Sequence, residues 1–442
     1  MARACAAILV AIALVAPAAR AATAKPPSLD AKAWILIDPR DGSVLASKAP
    51  NKKLPIASTT KLMTAYLALH ELRPNQMLTA PAYHPQASAE VELGLRPGEK
   101  MRVRDLLYGL LLPSASDAAE TLAVGVAGSA PAFVNQMNQT AQKLGLTHTH
   151  YANPIGLDDP QNYSSAADLT KLASIDLKNK LFARIVNTPA ATLSSGDHPR
   201  TVTSRNTLLG AAPWINGVKT GHTLDAGYVL VGSGTQNSTT LISAVLGTTS
   251  EASRDGDTLK LLTYGFSLYH PVTPVHTGQQ LADPKLDYRS GHLGLVAQRP
   301  LAVNVRRGQA VTTHVTAPSQ ISGAHQQGDV LGRVTVTVDG RRAASSPLVA
   351  SHDVSAATTL DKITSTAENP FLLVGVGAIV ILLGVVLMVR RRGHGDPAPP
   401  VAPQVKRNGR QAPRQRTPEE RRRMHEERMR RRRERMKREG TG

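Results

Sequence analysis

The sequence places Ser58 and Lys61 three residues apart in PIASTTKLMTAYLAL, a segment whose apolar residues predict a buried helix. Side chains three residues apart share one face of a helix, so the hydroxyl and the amine are expected to be neighbours. Apolar surroundings and the positive end of a helix dipole both lower the pKa of a lysine toward neutrality. The pair therefore predicts acyl transfer, with Ser58 as nucleophile and Lys61 as base. The competing interpretation is structural, with Ser58 capping the helix and Lys61 exposed.

Two further segments carry side chains that suit the same chemistry. Lys219 and Thr220 offer a cation and a hydroxyl to a substrate carboxylate, and Gly221 allows a backbone to approach closely. Ser114 and Ser116 lie between two predicted helices in GLLLPSASDAAETLAV. Taken alone, the first segment also fits a turn between strands, and Ser116 also fits a helix cap. The three motifs in this order indicate one catalytic site.

The predicted elements around these motifs describe one α+β domain. Residues 31–48 predict a hairpin around the turn PRDG, and helical periodicity dominates residues 104–145 and 166–179. Strands return after residue 201 in GVKTGHT, AGYVLVGSGT and TTLISAVLGTT, and a last helix ends near residue 270. Strands at both ends of a helical stretch predict a sheet that distant segments complete.

The flanking segments predict export and membrane attachment. Residues 1–24 have the basic start, apolar run and small residues of a secretory signal peptide, which leaves 25–270 as the catalytic domain. Residues 271–355, rich in β-branched residues and turns, predict a small all-β sandwich domain, and 356–370 a linker.

The second apolar run has the length of a transmembrane helix. Residues 371–389 contain no charge, and a basic tail, 390–442, follows directly. The positive-inside rule places this tail in the cytoplasm and the preceding domains outside it, in a single-pass protein of the cell membrane.

The net charge of +19 lies mostly in the tail, which has 19 Lys and Arg against 7 Asp and Glu. The charge therefore does not indicate a nucleic-acid-binding protein, although RNA or a protein partner for the tail stays open. Attraction of the tail to anionic lipids is an additional expectation. The 14 histidines show no metal-ligand spacing, so neither a metal nor a cofactor is expected.

The chain resembles the low-molecular-mass penicillin-binding proteins of the D-alanyl-D-alanine carboxypeptidase family, serine peptidases of the β-lactamase/DD-peptidase fold. The matching segments are PIASTTKLMTA, KTGHT followed by AGY, and FVNQMNQTAQKLGLTHTHYANPIGLDD followed by SSAADL. The resemblance covers residues 30–270 strongly and 271–355 more weakly. It implies an antiparallel sheet with helices on both faces and a helical insertion, followed by the family's C-terminal β domain.

The resemblance also implies a role for each matched residue. Ser58 would be the acylated nucleophile, Lys61 its base, and Ser114 a proton relay toward the leaving amine. Lys219 and Thr220 would bind the terminal carboxylate of a peptidoglycan stem peptide that ends in D-Ala-D-Ala.

The remaining implied contacts involve the backbone and one altered position. Gly221 would adjoin the substrate, and the N–H groups of Ser58 and His222 would form an oxyanion hole worth about 3–4 kcal/mol. Ser116 stands where the family has the asparagine of a Ser-x-Asn motif. A serine makes only one of the two hydrogen bonds of that amide, which predicts a cost of about 1–3 kcal/mol.

Three functions are compatible with these residues. The first is a D-Ala-D-Ala carboxypeptidase that acts through an acyl-enzyme and is inhibited covalently by β-lactams. The second is a β-lactamase, which the lack of an identifiable glutamate for deacylation disfavours. The third is a membrane-tethered wall-binding protein weakened at Ser116, which the intact Ser58, Lys61, Ser114 and Lys219 disfavour.

Overall fold

The computed structural model describes residues 7–13, 25–87, 90–362 and 381–389. The chain forms two compact units, residues 1–365 and residues 366–442. In the second unit, residues 381–389 are helical, while 371–380 of the predicted membrane segment and the whole tail lie outside the described residues. Within the described residues, no helix combines the length and the apolar character that crossing a membrane requires.

The helices of the first unit are a 3₁₀ helix (Ala57–Thr60), α1 (Lys61–Glu71), α2 (Val103–Leu111), α3 (Ser116–Ala127), α4 (Ala130–Lys143), α5 (Ala166–Asp176), α6 (Lys180–Val186), α7 (Leu208–Ala211) and α8 (Glu251–Ser267). The strands up to the last helix are β1 (Ala7–Ala13), β2 (Ala33–Asp38), β3 (Ser43–Lys48), β4 (Leu54–Pro55), β5 (Met77–Thr79), β6 (Lys100–Arg102), β7 (Tyr163–Ser164), β8 (Ala190–Leu193), β9 (Arg200–Thr203), β10 (Ile215–Thr223), β11 (Gly227–Gln236) and β12 (Thr239–Thr248). The later strands are β13 (Tyr269–Val275), β14 (Gln280–Ala282), β15 (Lys285–Leu286), β16 (Leu295–Ala297), β17 (Leu301–Arg306), β18 (Val311–Pro318), β19 (Gln320–Ile321), β20 (Val330–Val338) and β21 (Arg341–Ala350).

The central sheet has five antiparallel strands in the order β10-β11-β12-β2-β3. The predicted hairpin is confirmed as β2 and β3, and β2 pairs with β12, with Ile37 opposite Ile242. The sheet is thus completed by segments from the two ends of the domain. This architecture confirms the predicted α+β class.

Helices cover both faces of this sheet. Helix α8 packs on β11 and β12 on one face, and α5 packs on β12 and β2 on the other. The helical insertion continues the second layer, where α1 packs against α3 and α5. Strand β10 forms an edge of the sheet, and the 3₁₀ helix lies against it. The site residues are therefore held between the sheet edge and the helical layer.

The segment after α8 is all-β, as predicted. Its main sheet has the order β1-β18-β20-β21-β16-β14, and its buried valines and leucines form a core of their own. An ion pair between Arg306 and Asp41 (2.8 Å) joins it to the hairpin of the central sheet. Strand β1, which lies within the predicted signal peptide, pairs with β18. Residues 1–6 and 14–24 lie outside the described residues, and the signal peptide stays a prediction.

Candidate active site

Ser58 lies in the 3₁₀ helix, and α1 begins only at Lys61. The predicted helix therefore begins with a 3₁₀ turn that carries Ser58 and becomes an α-helix three residues later. In this described part of the chain, neither helix start has a side-chain cap, and the cap positions are Ile56 and Thr60. The interpretation of Ser58 as a helix cap is thus excluded, and its hydroxyl is available for chemistry.

Lys61 is a buried amine beside the serine hydroxyl. The residue is only 1% exposed, and its Nζ lies 3.3 Å from Ser58 Oγ. The same amine donates a hydrogen bond to the carbonyl oxygen of Ile155 at 2.6 Å. Burial lowers the pKa of Lys61 to about 7 because the charged form loses its hydration. The expected lowering of this pKa is confirmed, and the alternative of an exposed lysine is wrong.

The loop that supplies the Ile155 carbonyl is shaped by one asparagine. Asn153 Oδ1 accepts hydrogen bonds from the backbone N–H groups of Ile155, Gly156 and Leu157, at 3.3, 2.6 and 3.1 Å. Gly156 has a φ of +88°, and a Cβ there would lie 2.1 Å from the carbonyl oxygen of Ala57. The loop therefore lies directly against the 3₁₀ helix. The sequence analysis used this loop only as a matching segment and missed its carbonyl.

Strand β10 brings Lys219, Thr220 and Gly221 to the same place. Lys219 is 1% exposed, and its Nζ donates to the carbonyl oxygen of Thr220 at 2.9 Å. Burial, with the nearby charges of Lys61 and Arg205, holds the pKa of Lys219 well below its usual range. Lys61 is therefore close enough to oppose the protonation of Lys219.

Gly221 permits a close approach between the strand and the 3₁₀ helix. A Cβ at this position would lie 3.1 Å from Ile56 O, from Ala57 Cβ and from Ser58 N. The next residue, His222, is exposed, and its ring stacks on Tyr228 with 4.0 Å between centroids. Because β10 is an edge strand, its outward backbone groups are available for an extended peptide next to Ser58.

Ser114 has an unusual backbone and an unpaired hydroxyl. Its φ is +72°, a left-handed conformation that non-glycine residues rarely adopt. Its buried Oγ has no hydrogen-bond partner within the described part of the chain. Strain and an unpaired polar group are both characteristic of functional positions.

Ser116 is the first residue of α3 and does not cap it, since Ala115 takes the cap position in the described helix without a side-chain bond. Its N–H donates to Val91 O at 2.7 Å. Glu90, the residue before Val91, accepts the hydroxyl of Tyr83, and the sequence analysis identified no glutamate in this region. Glu90 lies between β5 and β6, where no helix or strand pattern relates it to Ser116.

Charged side chains nearby also shift the pKa values of the two lysines. The negative charges of Glu90 and Asp117 raise the pKa of Lys61, whereas Arg205 lowers it and also lowers that of Lys219. Arg205 lies in the segment Ser204-Arg205-Asn206, which precedes strand β10. The desolvation of Lys61 nevertheless has the largest effect on its pKa.

Comparison with known proteins agrees with this geometry. The sequence profile of the D-alanyl-D-alanine carboxypeptidase family matches residues 20–250, more than half of the chain. The chain belongs to this family. A second profile, that of the C-terminal domain of penicillin-binding protein 5, matches residues 269–356 of the same chain. The suspected family is therefore confirmed.

Individual relatives align with more than half of this chain. D-alanyl-D-alanine carboxypeptidase DacC of Escherichia coli is 32% identical over 359 residues, which are 77% of this chain and 89% of the relative. Penicillin-binding protein 5 of Haemophilus influenzae is 28% identical, with a TM-score of 0.54 over 75% of this chain and 99% of that one. A Streptomyces DD-transpeptidase is 34% identical, with a TM-score of 0.53 over 55% of this chain and 100% of its own.

Proposed function

We propose that the protein is a serine-type D-Ala-D-Ala carboxypeptidase that removes the terminal D-alanine from peptidoglycan stem peptides. The observation that carries the proposal is the buried Lys61 amine 3.3 Å from Ser58 Oγ. With a pKa of about 7, this amine is partly neutral at neutral pH and able to accept a proton. Membership in the D-alanyl-D-alanine carboxypeptidase family supports the choice of substrate.

In acylation, Lys61 Nζ takes the proton of Ser58 as Oγ attacks the carbonyl carbon between the two D-alanines. The Ile155 carbonyl supports this step, because it holds the amine by a hydrogen bond of 2.6 Å. The backbone N–H groups of Ser58 and His222 stabilise the oxyanion that forms. The close approach at Gly221 supports this assignment, because it brings strand β10 to the Ser58 N–H.

Collapse of the tetrahedral intermediate breaks the peptide bond and leaves an ester on Ser58. Ser114 passes a proton from Lys61 to the amine of the departing D-alanine. Its buried and unpaired hydroxyl supports this role, because no described side chain or backbone group competes for it. Water then hydrolyses the ester and frees Ser58. A β-lactam forms the same kind of ester, which makes it a covalent inhibitor.

The substrate lies along the edge of β10, with its terminal carboxylate at Lys219 and Thr220. An arriving carboxylate favours protonation of Lys219, since it supplies the opposite charge that this buried amine lacks. Ser116 contributes its hydroxyl near Lys61 and the substrate. Gly221 leaves room for the substrate backbone.

The test is to offer the purified protein a pentapeptide ending in D-Ala-D-Ala and to measure free D-alanine. We expect D-alanine release, its inhibition by penicillin, and a penicilloyl adduct on Ser58 in a mass-spectrometric digest. Labelling without peptide turnover would instead support the weakened wall-binding protein. Rapid penicillin hydrolysis without peptide turnover would support the β-lactamase.

We also propose that the catalytic domain works outside the cytoplasm, after loss of residues 1–24 and attachment through residues 371–389. The 19 uncharged residues followed by a basic tail support this topology. Ending the chain at residue 362 is expected to release the protein from sedimented membranes with penicillin labelling unchanged. Deleting only 390–442 should leave it sedimenting, with weaker dependence on anionic lipid. Membrane association of the chain that ends at residue 362 would contradict the proposal.

A further inference from the structure

Residues 153–158 form a loop that contacts both the base and the backbone of the nucleophile. The carbonyl oxygen of Ile155 accepts the Lys61 amine at 2.6 Å, and Gly156 lies against the 3₁₀ helix. A Cβ on Gly156 would lie 2.9 Å from Ser58 N, so the loop passes close to the nucleophile's own N–H. The loop therefore has a fixed position relative to both Ser58 and Lys61.

Two asparagines hold the shape of this loop. The Oδ1 of Asn153 accepts three consecutive backbone N–H groups of the loop. The Nδ2 of Asn162 donates to the carbonyl oxygen of Leu157 and to the hydroxyl of Thr60, both at 3.3 Å, and so joins the loop to the 3₁₀ helix. These bonds do not involve strand β10, so they keep the loop in place independently of that strand.

Asp158, the last residue of the loop, joins it to the end of strand β10. Its Oδ1 accepts the hydroxyl of Thr223 at 2.5 Å, and its Oδ2 accepts the N–H of Asp225 at 3.3 Å. The Thr223 hydroxyl in turn accepts the N–H of Ala226 at 3.2 Å. Both carboxylate oxygens of Asp158 therefore hold the last residue of β10 and the turn that leads into β11.

The end of β10 carries one of the two N–H groups assigned to the oxyanion hole. As an edge strand, β10 has one neighbouring strand, and its last residues, His222 and Thr223, pair with Tyr228 and Gly227 of β11. On its other side, the bond to Asp158 restrains this end of the strand. An oxyanion is stabilised by donors at about 2.7–3.1 Å. A shift of the strand end would therefore misplace the His222 N–H relative to the Ser58 N–H.

We propose that Asp158 is a positioning residue for acylation, which fixes the end of β10, and with it the His222 N–H, relative to the loop that holds Lys61. The inference rests on the proposed function. One short loop then aligns the two groups on which acylation depends, the amine that takes the proton and the N–H that receives the developing charge.

The position of Asp158 separates this role from one in stability. Asp158 is exposed, and its hydrogen bond with Thr223 lies at the surface. Exposed hydrogen bonds contribute little to folding, because water replaces the lost partner. Removing this bond should therefore leave the protein folded and change chiefly the placement of the strand end. Urea unfolding of each variant checks this expectation.

The experiment follows acylation by a fluorescent penicillin in stopped flow, which separates the dissociation constant of the first complex from the acylation rate constant. Thr223→Val keeps the shape of the side chain but removes its hydroxyl. We expect its rate constant to fall about tenfold and its dissociation constant to stay within about twofold of wild type, because the oxyanion forms only during reaction. Thr223→Ser keeps the hydroxyl and should recover the rate to within about threefold. The acidic limb of the rate profile should not move in Thr223→Val, since Ile155 still holds Lys61.

Asp158→Ala removes the other partner of the same hydrogen bond. Its rate constant should be at least as low as that of Thr223→Val, and the double variant should be no slower than Asp158→Ala. Losses that multiply in the double variant would show that the two side chains act separately and would overturn the inference. Asp159→Asn is the matched control: it removes a charge from the next exposed residue but keeps the oxygen that accepts the N–H of Gln161 at 2.7 Å. Its kinetics should equal those of wild type.

The outcomes separate the two proposals. If wild type releases D-alanine but Thr223→Val and Asp158→Ala are acylated at its rate, the inference about Asp158 is wrong and the function stands. A moved acidic limb in Thr223→Val would connect the bond to Lys61 rather than to the oxyanion donor, which also overturns the inference. If the variants slow as expected but wild type releases no D-alanine, the positioning role stands and the carboxypeptidase is wrong. A wild type that takes no penicillin label would overturn both.

Discussion

Replacing Lys61 with methionine is expected to lower the rate of acylation by about 10²–10⁴-fold, the usual contribution of a general base. Methionine has nearly the length of lysine but cannot accept the proton of Ser58, 3.3 Å away. The rate constant for labelling by a fluorescent penicillin measures the loss. Labelling within tenfold of wild type would show that another group deprotonates Ser58.

The same variant is expected to be more stable than wild type at pH 7, by about 2 kcal/mol. Relief of the buried amine is worth about 4–5 kcal/mol, and loss of its hydrogen bond to Ile155 offsets about half of that. The pKa of Lys61 is about 7 in the folded protein and 10.5 in an unfolded chain, so burial of the amine costs free energy. The cost is full below pH 7, where both states are protonated. It falls as pH rises from 7 toward 10.5, because only the unfolded state then holds the proton. The gain from Lys61→Met should therefore be smaller at pH 9 than at pH 7, as urea unfolding at both values would show.

Ser58→Ala is the control for this comparison. It also abolishes acylation, because it removes the nucleophile, but it leaves the buried amine in place. Its stability should therefore follow pH as that of wild type does. If Lys61→Met is destabilised at pH 7, the lost hydrogen bond to Ile155 outweighs the relief of burial and our explanation is wrong.

Replacing Arg200 with methionine is expected to destabilise the folded protein by about 3–5 kcal/mol, the largest effect on stability that we predict. Arg200 Nη1 and Nη2 lie 2.7 and 2.9 Å from the two carboxylate oxygens of Glu99, in a buried ion pair. The guanidinium also donates to the carbonyl oxygens of Leu93 and Gly94, at 3.0 and 3.3 Å. Methionine leaves Glu99 as a buried carboxylate without its cation. Urea unfolding at pH 7 measures the change.

Two further variants and the pH dependence check this explanation. Combining Arg200→Met with Glu99→Gln should recover part of the loss, since the unpaired charge is gone. Lys260→Met removes an exposed amine from the buried Asp257, which keeps its hydrogen bonds from the N–H groups of Asp30 and Ala31, so it should cost less than about 1 kcal/mol. The Arg200 hydrogen bonds help to lower the pKa of Glu99 to about 2, so the pair stabilises wild type fully above pH 4.5 and less as pH falls toward 2. Equal losses of unfolding free energy in Arg200→Met and Lys260→Met would show that burial of the Arg200–Glu99 pair is not the source of the effect.

The sequence alone determined the features that depend on local spacing. Helical spacing placed Ser58 and Lys61 together, and an apolar segment implied a lowered lysine pKa, which the structure confirms. Alternating and helical patterns likewise predicted the hairpin, the helical insertion and the all-β segment. The assignment missed α6, β8 and β9, which are short, and it did not separate the 3₁₀ turn at Ser58 from α1. Such boundaries depend on packing more than on local preference.

Only the tertiary structure decided what surrounds these residues. The carbonyl that holds Lys61 comes from Ile155, 94 residues later, and a backbone group has no signature in the sequence. The N–H of Ser116 donates to Val91 O, which is carried by irregular chain in which no periodicity relates one residue to another. Spacing along the chain specifies neighbours within one element, whereas contacts between distant elements depend on how those elements pack.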